Sequence, residues 1–111
     1  MAETLHVEAI PEVVDLRLHQ GDTFTLTLTF QGNVASSTFA AQVRPTTKSA
    51  TFWNFAVDTS QAASGIVVLT LSAANTAAMP ATAVWDLQET KAGVVTTLLK
   101  GRVRVGRETT R

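Results

Sequence analysis

Two histidines, nine carboxylate-bearing residues and nine basic ones, with no cysteine, are the full stock of ionisable chemistry in this 111-residue chain. His6 and His19 stand thirteen residues apart, with no cysteine or paired carboxylate at ligand spacing beside either, so they are expected as exposed bystanders and not as metal ligands. The carboxylates are scattered, whereas a glycosidase needs two facing each other across one cleft. Asp86 lies between Trp85 and Leu87 and by alternation points away from both, which suits a cross-strand partner such as an arginine. Serines occur without a Gly-x-Ser-x-Gly elbow, and the glycines stand singly at turns, so neither an acyl-transfer site nor a phosphate cradle is expected. The chain reads as non-enzymatic, with no cofactor, no metal and no small-molecule substrate.

What remains is interaction chemistry. Net charge is zero, yet residues 1–22 carry Glu3, Glu8, Glu12, Asp15 and Asp22 against Arg17 alone. Residues 91–111 carry Lys91, Lys100, Arg102, Arg104, Arg107 and Arg111 against Glu108 alone. Arg102 and Arg104 share one face of a strand, with Val103 and Val105 on the other. A solvated edge face is one reading. The other is a head-to-tail contact with the acidic Glu3-to-Asp22 region of the next copy in a ring. Four arginines without interleaved aromatics make a thin footprint for nucleic acid, which is not expected as a partner. Phe52 and Trp53 are adjacent and so face opposite ways; Phe52 is either a local irregularity or an aromatic anchor at an interface.

The elements that would carry these residues are strands. Thr23-Phe24-Thr25-Leu26-Thr27-Leu28-Thr29-Phe30 alternates hydroxyl and large apolar side chains without a break, which defines a half-buried strand and excludes a helix. Further strands are predicted over about 13–18, 37–44, 51–58, 66–71, 83–90, 94–100 and 102–105, with a bend at Gly101. The run at 66–71 is apolar on both faces, as in a central strand or one covered by a partner. Ser72 is placed as the N-cap of a short helical turn ended by Pro80. Seven to eight short strands at about ten-residue spacing, with one helical turn, predict an all-β fold: a single antiparallel Ig-like β-sandwich. Residues 12–111 are expected to form that domain and 1–11 a flexible arm, either frayed or adding a strand to a neighbouring subunit. No apolar run approaches the roughly 20 residues of a membrane span, and Met1-Ala2-Glu3-Thr4 does not read as a signal peptide. The expectation is a protein made in the cytoplasm that stays there until assembled.

The order of elements is also familiar. Gln20-Gly21-Asp22-Thr23-Phe24, Ala41-Gln42-Val43-Arg44, and Gly65 to Ser72 running into Thr76-Ala77-Ala78-Met79-Pro80 form the first part of the pattern. Trp85-Asp86-Leu87-Gln88, Thr97-Leu98-Leu99-Lys100-Gly101 and the terminal Glu108-Thr109-Thr110-Arg111 complete it. Over about residues 13–111 the chain resembles small β-sandwich virion proteins of tailed bacteriophages: collar or fibre-anchoring proteins and, more distantly, the N-terminal domain of baseplate upper proteins. It departs from them at Asn33-Val34-Ala35-Ser36 and Ala81-Thr82-Ala83-Val84, in a loop and at a strand start. The resemblance implies a virion structural protein made in the host cytoplasm. It would be a minor tail, collar or tail-tip adaptor that oligomerises and anchors fibres or other tail proteins. Its partners would be tail tube, fibre or capsid proteins and further copies of itself, with no membrane. A capsid decoration or head-fibre base protein is the alternative, and a carbohydrate-binding module a more distant one. The candidate assembly interface is Arg102, Arg104, Arg107 and Arg111 with Glu8, Glu12 and Phe52.

Overall fold

The computed structural model describes residues 2–7 and 12–106. Within them, ten strands form two sheets packed face to face, so the all-β sandwich is as expected. The first sheet has the order β1 (Ala2–Val7), β4 (Phe24–Phe30), β8 (Ile66–Leu71), β7 (Ala56–Asp58). In the second, β2 (Glu12–Val13) and β3 (Leu16–His19) both pair with β10 (Val94–Gly106), followed by β9 (Thr82–Lys91), β5 (Thr38–Arg44) and β6 (Trp53–Asn54). Phe24, Leu26 and Leu28 from the threonine-rich strand are buried against Leu87, Leu99, Val43 and Val103 of the opposite sheet. The run at 66–71 lies between β4 and β7, and its Val67, Leu69 and Leu71 are fully buried.

The departures from the predicted elements have local causes. Residues 51–58 do not make one strand: Trp53–Asn54 pair with β5, then the chain passes to the other sheet and Ala56–Asp58 pair with β8. Phe55 is the corner, its N–H donating to the Ala41 carbonyl at 2.9 Å and its ring buried 5.9 Å from Trp85. The strand expected at 13–18 is split at Val14-Asp15, because the Val14 carbonyl leaves the ladder to accept the Trp85 indole N–H at 2.7 Å. Gly101 bends nothing; 94–100 and 102–105 run on as the single strand β10. A register shift between Thr97 and Leu99 lets consecutive Leu98 and Leu99 both enter the core.

Neither sheet is purely antiparallel, since β1 runs parallel to β4, and β2 and β3 run parallel to β10. Residues 2–7, which the sequence assigns to an arm, form β1 on the chain's own sheet. The helical turn α1 (Ala73–Ala78) is capped by Ser72, whose side chain accepts the Asn75 N–H. From α1, fully buried Thr76 reaches the turn before β4: its hydroxyl lies 2.8 Å from the Asp22 carbonyl and accepts the Gly21 N–H at 3.1 Å. Thr76→Val preserves shape but strands these backbone groups, and is expected to cost about 1–2 kcal/mol in urea unfolding. Thr76→Ser should restore most of it.

Candidate interaction face

Alternation decides which side chains the six-stranded sheet turns outward, and register decides which of them meet. Ala41, Val43, Trp85, Leu87, Leu99 and Val103 point to the core. Their neighbours form three rows across the outer face. Gln42, Asp86 and Lys100 lie in the first row, Arg44, Val84 and Arg102 in the second, and Thr82, Arg104 and Arg17 in the third. Strands stand about 4.8 Å apart, so Arg44 and Arg102 flank Val84 at two strand spacings.

Arg44 is held from three sides. Its Nη1 donates to the Ser49 carbonyl at 2.7 Å, its Nη2 to Gln42 Oε1 at 2.8 Å, and its guanidinium carbon lies 4.8 Å from the centroid of Phe52. Gln42 is itself fixed by its amide N–H to Asn54 Oδ1 at 3.0 Å. Phe52 stays 43% exposed, its ring a cover for a cation on the outer face. At the other end of the row, the Arg102 backbone N–H donates to Asp15 Oδ1 at 3.0 Å, and the Val14 N–H to the Lys100 carbonyl at 2.8 Å. Between these ends lies an open cleft of about 510 Å³, with Val84 and Asp86 on its floor and Gln42 and Arg44 along one side. Lys100, Arg102 and Asp15 line the other side; Val13, 70% exposed, and Thr47 from the loop after β5 close it.

Asp86 faces outward as its neighbours require, and the arginine that bears on it is Arg44. Partial burial raises its carboxyl above the ordinary aspartate range, and the Arg44 charge offsets this only in part. The folded state therefore holds this proton more tightly than the unfolded chain. The stability so gained is complete below the ordinary aspartate value and is lost as pH rises through the folded one. Asp86→Asn should accordingly be no less stable than the parent at pH 7, gaining up to about 0.5 kcal/mol at this solvent-screened position. The gain should vanish by about pH 3, below the ordinary value. Urea midpoints at the two pH values read this directly.

Of the residues singled out in the sequence, Arg102 lines the cleft, Arg104 stands exposed one row beyond, and Phe52 lies over Arg44 at the far end. Glu12 does not join them, because it is in register with core-facing Leu99 at the sheet edge. Glu8, Arg107 and Arg111 lie outside the described residues. The acidic and basic stretches, distant in sequence, are side by side here: Asp15 contacts Arg102, and Arg17 is in register with Arg104. Arg44, Gln42, Lys100 and Asp15 belong to the site without having been singled out, because only the register of β5, β9 and β10 brings them together. His6 and His19 are exposed on different sheets, and no group of three potential metal ligands gathers among the described residues.

No protein-family model matches the chain, and no curated protein sequence does. Among solved structures, a cysteine protease inhibitor from Entamoeba histolytica superposes with a TM-score of 0.48 at 9% identity, over 96% of this chain and 97% of that one. A likeness of that degree carries no argument about what this chain does.

Proposed function

We propose that the chain is a non-enzymatic structural subunit of a tailed-phage virion, a collar, tail or tail-tip adaptor that oligomerises and anchors fibres or other tail proteins. The observation that carries a docking role is the outer face of the six-stranded sheet. There Arg44 is fixed by Ser49, Gln42 and Phe52, and Phe52 and Val13 stay exposed at the borders of that face. Side chains held in place before contact lose less entropy on docking, which suits a preformed module that binds as a rigid body. The virion setting rests on the sequence pattern from Gln20 to Arg111. Gold-labelled antibody against the chain, applied to particles made from the genome encoding it, tests that setting. Label around the tail axis is the expected result. Label over the capsid lattice would favour a decoration protein, and particles without label would refute a virion role.

A further inference from the structure

We propose that the outer-face cleft is a receptor site for an extended acidic segment of a partner protein, one carrying carboxylates at positions i and i+2. The proposal deepens the docking role given above and rests on it for the partner being a protein. Across the three rows and the adjoining edge, Arg17, Arg44, Lys100, Arg102 and Arg104 stand against Asp15 and Asp86. With both carboxylates ionised, three basic side chains in the cleft (Arg44, Lys100 and Arg102) still outnumber Asp15 and Asp86, and Arg17 and Arg104 stand beside it, so the field there is cationic.

The geometry narrows the ligand further. The row Arg44–Val84–Arg102 places two guanidinium groups on either side of an apolar floor, about 9–10 Å apart at the backbone. Arg44 is anchored on Ser49 and Gln42 and does not swing across to share one carboxylate with Arg102, so a carboxylate for each guanidinium suits the pair. In an extended segment, residues i and i+2 point to the same side about 6.7 Å apart, and their flexible acidic side chains cover the remainder. Arg44 spends two of its five N–H donors on Ser49 and Gln42, so its fork is aimed while donors remain for a carboxylate. Phe52 is a positioning residue in this scheme, because it fixes the plane of that fork.

The test is amide NMR titration of the full chain with an unlabelled Thr-Glu-Thr-Glu-Thr-Glu peptide, and with the same peptide carrying Gln for Glu. Saturable shifts at Gly101, Arg102 and Arg44 with the Glu peptide alone are expected. Arg44→Gln and Arg102→Gln should each weaken binding about tenfold, the scale of one lost charge-assisted hydrogen bond. Arg44→Lys, which keeps the charge but not the fork, should fall between. Arg104→Gln should change affinity less than about twofold, and Asp86→Asn should tighten it, since it removes a competing carboxylate. The spectra themselves report whether each variant is folded. Equal binding of the Gln peptide, no saturable shift, or an equal loss from Arg104→Gln would overturn the proposal. A null titration beside labelled virions would refute this cleft and leave the structural role standing.

Discussion

Replacing Gly101 with alanine is expected to be among the most damaging single substitutions in the chain, costing about 3 kcal/mol or more. A Cβ at Gly101 would overlap the Val14 carbonyl oxygen and press on its carbon, which are backbone atoms that no rotamer change can move aside. That carbonyl is held where it is by the Trp85 indole and by the Val14 N–H bond to Lys100, so the strain must be relieved by lifting the β2–β3 edge from β10. Thermal melting followed by circular dichroism should show the midpoint falling by at least about 10 °C. A midpoint within about 2 °C of the parent would mean that the edge yields freely and that Val14 is not fixed. Because Lys100 and Arg102 flank Gly101 in the cleft, whatever variant survives should also lose the Asp15–Arg102 contact.

Trp85→Ala is expected to cost about 3–5 kcal/mol, the range for emptying an aromatic site in a close-packed core. Trp85 is 3% exposed, packs on Phe55 at the corner where the chain changes sheets, and donates its indole N–H to Val14. It therefore ties the core, the corner and the edge of the cleft together. Trp85→Phe separates packing from hydrogen bonding: the ring is kept, the Val14 carbonyl is left unpaired, and about 1–2 kcal/mol should be lost. Urea unfolding of the three proteins gives both steps. A neutral Trp85→Phe would show that the indole bond is not what splits β2 from β3.

The alternating strand at 24–30, the two-faced apolar strand at 66–71 and the capped turn after Ser72 were legible because each is determined by side-chain period or local capping. What was not legible depends on backbone geometry between distant segments. The corner at Phe55 lies inside a run whose alternation continues unbroken, since Trp53, Phe55 and Val57 all face the core whichever sheet they pair with. The split at Val14 is set by an indole seventy-one residues away. The parallel pairing of β1, β2 and β3 leaves no trace in composition.

The candidate site divides in the same way. Alternation alone gives Arg102, Arg104 and Asp86 as outward-facing, and so they stand. Arg44 was invisible as a site residue until the register of β5 on β9 set it beside Asp86 and opposite Val84. Phe52, for which the sequence allows either a local irregularity or an interface anchor, stands exposed over Arg44. Among the described residues the acidic and basic stretches meet at one place, where β3 and β10 are neighbours and bring Asp15 and Arg17 beside Arg102 and Arg104.

The central claim, that this chain is a subunit built to assemble, is tested most directly by the mass of the purified protein in solution. Light scattering at low and at moderate salt should give a closed multi-copy mass that falls as salt screens the charged contacts. A monomer mass under both conditions would contradict spontaneous assembly of the chain.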